Sequence, residues 1–398
     1  MRLIHISDLH LGFRRYQRLT PTGINQREAD VAAAFNRAID KIIEIAPDIV
    51  LIAGDVFHSV RPTNTAIVHA FSQFSRLTRA LPDATIVMIA GDHDSPRAVE
   101  TGCILRLFVP LGIHVVHGES QRLSFPEREL SILAVPDALR DHPSLDPDPA
   151  AAHNILVIHC ETPEAAPPYA EGQERPVVQV KLDDIEPAKW NYVALGHYHV
   201  YTQLAPNVFY SGSVEYTSLN PWGDLDTERK LKLPGKGMVE YDLTTNKRKY
   251  HFLPATRPLI DLPHITARGM SAADLDAAIQ AGIERISGGI DDKIVRQIVR
   301  DVPRHIAREL DHKALRDLKR RALHYHLDTR RPEVIRSISS GGPGRRPSLS
   351  ETVREHLQRR VMPGDIDRDR LVEMGLDYLR EAESIEASTP VASVGTVE

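Results

Sequence analysis

Cysteine is nearly absent. Cys103 and Cys160 are the only two in 398 residues, too few for a disulfide framework or a Cys-based zinc site. Cys160 follows His159 in an apolar segment and reads as core packing. Long apolar runs are missing as well. No stretch approaches the ~20 residues a membrane span needs, and Met1 leads into a strand-like segment without the basic and apolar regions of a signal peptide. A reducing cytoplasm is the expected setting. Positive charge is not in excess either: a net charge of −5 excludes a uniformly basic nucleic-acid binder, although a local basic face suffices to meet phosphates. A content of 42% hydrophobic and 26% charged residues remains, the composition of a soluble globular protein, and the length accommodates two or three domains.

Histidine is plentiful at 19 residues, and several cluster with aspartate in short polar blocks that each follow an apolar run. The blocks are Asp8-Leu9-His10, Gly54-Asp55-Val56-Phe57-His58, Gly91-Asp92-His93-Asp94, a lone His159, and Gly196-His197-Tyr198-His199. The runs before them (Leu3 to Ile6, Ile49 to Ala53, Thr85 to Ala90, Ile155 to Ile158, Tyr192 to Leu195) predict buried strands. Side chains just past the C-terminal ends of neighbouring strands converge at one rim of a sheet, a common site location in α/β proteins. A single histidine at a strand end is usually a satisfied polar residue. Five blocks in register are not explained that way.

The first 255 residues alternate strands with helices, the latter expected at Asn25 to Ala46, Thr63 to Leu81 and Arg97 to Leu111. Strands are expected at 153–160, 191–199, 207–212, 237–243 and 249–254, so the fold class is α/β with two packed mixed sheets flanked by helices. Glu161 to Arg175 and Asp141 to Ala150 read as exposed loops. A second unit begins near Arg257, with strands over Leu259 to Ile265 and Lys293 to Asp301, an amphipathic helix over Ser271 to Ile286 capped by Ser271, and a helix over Leu310 to His326. Between Asp291 and Arg331 there are twelve Lys/Arg against seven Asp/Glu, a net of +5. Ser337 to Pro347 has a flexible-linker composition. Beyond it, Ser348-Leu349-Ser350-Glu351 forms a capping box opening a helix, Pro363-Gly364 breaks that helix, and a second one carries Leu371, Met374, Leu376, Tyr378 and Leu379. Two such helices must dock their apolar faces on the body or on a partner. The last ten residues read as disordered.

The donor set suits two divalent cations about 3.5–4 Å apart, which clamp the attacking and leaving oxygens of a phosphoryl displacement. Asp55 is the candidate bridge, Asp8, His10 and His199 complete one seat, and Asp92, His159 and His197 complete the other. Imidazole and carboxylate donors without thiolate favour Mn²⁺, Fe²⁺ or Zn²⁺ over Ca²⁺ or Mg²⁺, and a hydroxide activated by the two cations would be the nucleophile. His93 is placed to protonate the leaving alkoxide with Asp94 orienting its ring, and His58 to contact the phosphate or assist His93. His5, His69, His114, His117, His153, His305, His324 and His326 are expected to be structural or surface residues.

At these motifs the chain resembles the calcineurin-like metallophosphoesterase superfamily, with its pattern D-x-H, G-D, G-N-H-D/E, a lone His and G-H-x-H. Asp8-Leu9-His10-Leu11-Gly12, Gly54 to His58, Tyr210-Ser211-Gly212-Ser213-Val214-Glu215 and Lys236-Gly237 are similar to SbcD-type DNA repair nuclease subunits. The resemblance is strong over residues 1–255 and weaker beyond. It implies metal ligands at Asp8, His10, Asp55, Asp92, His159, His197 and His199, with His93 and His58 as catalytic histidines. It further implies a dimetal phosphoesterase domain (1–255), a small α/β DNA-capping domain (256–335), a linker (336–348), a helical hairpin (349–385) that binds the coiled-coil base of an SbcC-type ATPase, and a disordered tail (386–398). The family usually has Asn where this chain has Asp92. The extra negative charge should hold a cation more tightly while making it a weaker Lewis acid.

The leading expectation is a Mn²⁺-dependent exonuclease or endonuclease acting on double- and single-stranded DNA, as the nuclease half of a repair complex with such an ATPase. The basic 291–331 segment and Arg14, Arg15 and Arg18 are candidates to grip backbone phosphates. A small-molecule phosphoesterase acting on a cyclic nucleotide or phosphomonoester uses the same site, but has no need of a basic cap or tethered hairpin. A scaffold that keeps the cations as structure is the third reading. A homodimer stays open.

Overall fold

The computed structural model describes residues 1–96, 102–137, 144–165, 178–332, 348–359 and 367–388. Two compact units divide the chain, Met1–Pro332 and Glu333–Glu398. In the first, β1 (Arg2–Ile6), α1 (Gln26–Ile45), β2 (Ile49–Ala53), α2 (Asn64–Ala80), β3 (Thr85–Ile89) and β4 (His114–Val116) alternate, and the four strands run parallel. Next come β5 (Gln121–Phe125), β6 (Leu130–Val135), β7 (His153–His159), α3 (Leu182–Ile185), β8 (Tyr192–Gly196), β9 (Thr202–Ala205) and β10 (Val208–Tyr210), then α4 (Pro221–Lys230), β11 (Gly237–Asp242) and β12 (Lys247–Phe252). One sheet has the order β12-β11-β1-β2-β3-β4 and the other β5-β6-β7-β8-β10-β9.

Strand alternation explains the layering. Ile4, Ile6, Val50 and Ile52 point to one face of the first sheet, where they pack with Val31, Phe35 and Ile39 of α1 and Phe74 of α2. Leu3, Ile49, Leu51 and Ala53 point to the other, against Ile155, Val157, Tyr192 and Phe209 of the second sheet. Cys160 is buried with Trp190 and Tyr210 on the outer face of that second sheet. The expected α/β architecture with two packed mixed sheets and flanking helices is what the chain adopts. α1 begins where the Asn25 side chain accepts the Arg27 amide and ends at Ala46 in the left-handed region, ahead of Pro47.

Several local expectations are corrected. The described part of the helix expected over 97–111 is a 3₁₀ segment, Ile104–Leu111, with Pro110 inside it; residues 97–101 lie outside the described residues. β4, β5, β6 and β9 were not anticipated, because three of them are short or polar. The loop expected from Glu161 starts buried: Thr162 is inaccessible and accepts the Tyr210 hydroxyl, while residues 166–175 of that loop and 141–143 of the other lie outside the described residues.

The segment after Arg257 folds as β13 (Leu259–Asp261), β14 (Ile265–Thr266), α5 (Ala272–Glu284), β15 (Ile294–Arg300), α6 (Arg304–Glu309), α7 (His312–Arg321) and β16 (His324–Thr329). Ser271 and Asp274 form a reciprocal capping box on α5. The expected strand over 259–265 is two strands with Pro263 between them. The helix expected to reach His326 stops at Arg321, and His324–Thr329 pairs in parallel with β15. The pattern of Leu323, Tyr325 and Leu327 suits a strand once β15 lies beside it, and local periodicity does not reveal that neighbour.

This small subdomain is clamped to the main one. Tyr16 stacks on His324 at 4.0 Å between ring centroids, the Arg296 guanidinium lies 4.8 Å from the Trp222 ring, and Arg257 Nε donates to Asp30 at 2.9 Å. In the second unit, α8 (Leu349–Arg359) and α9 (Arg368–Ser388) pack together, with Gly375 against Leu357. Ser348 and Glu351 make the expected capping box. Leu349, Met374 and Tyr378 stay exposed at 59%, 47% and 68%. The linker 337–347, the break at Pro363-Gly364 and the tail beyond Ser388 lie outside the described residues. No described helix is long and apolar enough to cross a membrane.

Burial of His5 between the sheets has a measurable consequence. Its Nδ1 is 3.1 Å from the Tyr192 hydroxyl, and burial pushes the imidazole down from 6.5 to about 3. The folded chain therefore binds one proton fewer than the unfolded chain between these values. That contribution to stability is complete above pH 6.5 and is lost as pH falls toward 3. His5→Phe should flatten the acid limb by about 1.4 kcal/mol per pH unit in this window. Urea midpoints at pH 7 and pH 4 measure it, and parallel pH profiles for the two proteins would refute it.

Candidate metal centre

The polar blocks sit at the C-terminal ends of parallel strands, but two sheets contribute rather than one. Asp8 and His10 follow β1, Asp55 and His58 follow β2, and Asp92 and His93 follow β3. His159 ends β7, and His197 and His199 follow β8. Within the first sheet, backbone hydrogen bonds tie the loops after β1 and β2 together: Asp8 N donates to Gly54 O at 3.0 Å, His10 N to Asp55 O at 2.9 Å, and His58 N to Leu11 O at 3.0 Å. Between the sheets, the His159 ring bonds the Ala53 carbonyl and the His197 amide donates to the Asp8 carboxylate. Sheet-to-sheet approach needs glycine at two positions: a methyl on Gly196 would overlap the Ala53 carbonyl, and one on Gly54 would overlap the His159 ring. Within the first rim, a methyl on Gly91 would overlap the Asp55 carboxylate. Asp8, His10, Asp55 and His197 all adopt positive φ, between 44° and 113°, a backbone cost that a tightly packed surround sustains and that concentrates at functional sites.

All seven predicted ligands meet. Donor atoms of Asp8, His10 and His199 lie within 4.8 Å of one another, as do those of Asp92, His159 and His197. Asp55 Oδ2 lies between the two groups, 3.6 Å from His10 Nε2 and 3.7 Å from His159 Nε2. His10 Nε2 and His199 Nε2 are 2.9 Å apart, close to the spacing left by two nitrogens each about 2.0–2.1 Å from one cation. His159 donates Nδ1–H to the Ala53 carbonyl at 2.8 Å, which turns Nε2 toward Asp92 Oδ1 at 3.2 Å.

The electrostatics call for positive charge. Burial, reinforced by the Asp92, Asp8 and Asp94 carboxylates, pushes Asp55 well above the ordinary carboxylate range. Burial opposes ionisation of Asp92 too, but hydrogen bonds from His159 and His197 outweigh it and hold that carboxyl low. His159 is driven the other way: burial disfavours its charge, yet Asp55, Asp92 and Asp8 raise it well above 6.5. His10 is pushed down by burial and by the His93, His199 and His58 rings around it. Protonated imidazole thus balances the carboxylates on one side of Asp55, and neutral nitrogen donors converge on the other. Divalent cations fit both seats.

His93 and His58 lie at the mouth. His93 Nδ1 bonds the His58 carbonyl at 2.8 Å and its Nε2 is 3.8 Å from Asp92 Oδ2. Its ring stacks on His58 at 5.1 Å, and His58 Nδ1 is 3.4 Å from His10 Nδ1. Asp94 does not orient His93. Its buried carboxylate accepts the amides of Val56, Phe57 and Gly91 at 2.9–3.2 Å and so shapes the Asp55 loop; burial raises it to about 6 against these bonds.

The three arginines after the first block are likewise engaged inside the protein. Arg14 pairs with Glu28 at 2.7 Å, Arg15 donates to the Ser218 and Leu219 carbonyls at 2.9 Å, and Arg18 donates to the Arg320 and Ala322 carbonyls. These contacts support the loop after the first block, and Arg18 ties it to the small subdomain.

Four supporting residues were not identified as such from sequence. Ser7 Oγ donates to Asp8 and meets Ser211 Oγ. Buried Lys236 donates to the His199 carbonyl at 2.7 Å while paired with Asp224 and Glu228 at 3.0 and 3.1 Å. Glu161 Oε1 is 3.3 Å from His197 Nε2. Ser211 and Lys236 fell within segments noted only for resemblance, and Glu161 within an assumed loop.

Residues 1–201 match the calcineurin-like phosphoesterase family model. The chain is 27% identical over 258 residues to DNA double-strand break repair protein Mre11 of Methanocaldococcus jannaschii, covering 62% of this chain and 63% of the relative. It is 29% identical over 232 residues to the Thermoplasma acidophilum protein of that name, covering 54% and 57%. For the Sulfurisphaera tokodaii protein the identity is 30% over 213 residues, covering 50% and 49%. The chain thus spans about half to two thirds of these relatives. With its five blocks meeting as the family pattern requires, the chain belongs to the calcineurin-like phosphoesterase family.

Proposed function

We propose that this protein is a two-cation DNA phosphodiesterase, a repair nuclease that works with Mn²⁺. The observation that carries the reading is Asp55 Oδ2, within 3.7 Å of one imidazole from each triad. In this reading Asp8, His10 and His199 hold one cation, Asp92, His159 and His197 the other, and Asp55 both. When bound, such a pair supplies Lewis-acid polarisation of a phosphodiester and acidification of water. The chain's own residues position and protonate. As imidazolium, His93 gives Nδ1–H to the His58 carbonyl, 2.8 Å away, and presents Nε2–H to the leaving oxygen. Its side chain is 29% exposed, so substrate can reach it. His58, stacked behind it, supports that ring and faces the phosphate.

DNA as substrate is supported by the similarity to DNA double-strand break repair proteins, and by the basic small subdomain. There Arg321, Arg296 and Arg330 are paired internally with Asp291, Asp261 and Asp328. Arg316 and Lys319 are exposed and have no ion pair among the described residues, which leaves them for phosphates. The exposed Leu349, Met374 and Tyr378 of the hairpin fit the docking of a coiled-coil SbcC-type ATPase, and a cytoplasmic repair complex is the corresponding setting.

His93→Ala should lower turnover on linear duplex or single-stranded DNA about 10²–10⁴-fold while cation binding persists, and chelator should abolish activity. Equal cleavage of DNA and a chromogenic small diester, with no dependence on the small subdomain, would favour a small-molecule enzyme instead. Asp92→Asn should keep or raise turnover while weakening cation affinity. Loss of both would remove Asp92 from the proposed ligand set. Charge reversal at Arg316, Lys319 and Arg320 should weaken DNA binding and lower its salt slope by about 2–3. An unchanged slope would take this face out of the DNA footprint.

A further inference from the structure

Glu161 stands outside the seven-residue donor set, yet it is built into the centre. It lies two residues past His159, and a parallel bridge to Gln179 fixes its backbone: Glu161 N donates to Val178 O at 2.8 Å, and Val180 N to Glu161 O at 2.9 Å. Gln179 Nε2 then holds Oε2 at 3.1 Å. The other oxygen, Oε1, faces His197 Nε2 at 3.3 Å, and the side chain is only 16% exposed.

His197 is therefore flanked by two carboxylates. Nε2 faces Glu161, while Nδ1 faces Asp92 Oδ1 at 3.5 Å, inside the triad with His159. An imidazole binds a cation only through an unprotonated nitrogen, and the partner of the other nitrogen decides which one that is. The neighbouring rings have weaker orienting partners. His159 uses the Ala53 carbonyl and His93 the His58 carbonyl, and His199 Nδ1 has no hydrogen-bond partner among the described residues. The His197 backbone is already committed, at φ 113° with its amide on the Asp8 carboxylate. Ring orientation is what remains to be set.

We propose that Glu161 is a positioning residue that accepts Nε2–H from His197, fixes Nδ1 as the cation-facing nitrogen, and makes that nitrogen a stronger donor through the charge behind it. The proposal rests on the two-cation reading above. It assigns the Asp92, His159 and His197 seat a carboxylate–histidine pair, and that seat becomes the more strongly retaining of the two.

Mn²⁺ binding to the full chain by calorimetry, and ¹H–¹⁵N correlation of the His197 ring in the metal-free protein at a pH high enough for that ring to be neutral, test this together. For Glu161→Leu, one of two cations should bind about 10–100-fold more weakly, and His197 should leave the Nε2–H tautomer. Glu161→Gln, whose amide oxygen still accepts Nε2–H, should keep the tautomer and lose less affinity; it also covers the case in which the leucine variant does not fold. Two cations bound with wild-type affinity in both variants would overturn the proposal, as would an Nδ1–H tautomer in the wild type. If the wild type bound no cation at all while His197 held the Nε2–H tautomer only in the presence of Glu161, the two-cation reading would fall, the ring-orienting role would survive, and the claim on cation retention would be overturned.

Discussion

Three carboxylates from three parallel strands are buried within a few ångströms of one another, and the site is organised around their repulsion. Asp8, Asp55 and Asp92 are each at most 9% exposed. Desolvation and like charge would drive protons onto them, and Asp55 is indeed pushed up. Imidazoles of His10, His159, His197 and His199 surround them, and the same convergence of nitrogen and oxygen donors suits divalent cations.

Holding such a cluster requires rigid supports, and buried charged residues brace two of the loops. Asp94 pins the Asp55 loop through three amides. Lys236, buried with two carboxylate partners, pins the His199 carbonyl. Removing either partner of such a pair leaves an uncompensated buried charge, so the arrangement specifies geometry more than it adds stability. Positive φ at four of the site residues shows that the loops accept backbone cost to aim these side chains.

The small subdomain meets this framework at the loop that follows the first block. Tyr16 and Arg18 reach from that loop to His324 and Ala322, and Trp222 on α4 meets Arg296. Because α4 also carries Asp224 and Glu228, the partners of Lys236, the element that seats the small subdomain is the one that braces a predicted ligand loop. Of the arginines beside the first block, Arg18 takes part in this seating.

The five apolar runs, the blocks after them and the two-sheet architecture were legible in the sequence, because a buried parallel strand needs a continuous apolar run and its polar continuation stands out sharply. The caps at Ser271 and Ser348 were legible for a similar reason, since their hydrogen bonds are local. Tertiary structure alone decided the rest. That β16 is a strand depends on β15 beside it; that Asp94 serves amides and His93 a carbonyl depends on loops some 35 residues apart in sequence. That Glu161 stands behind His197 depends on two strand ends brought side by side. Contacts between distant segments leave no periodicity in the chain, so only the folded arrangement reveals them.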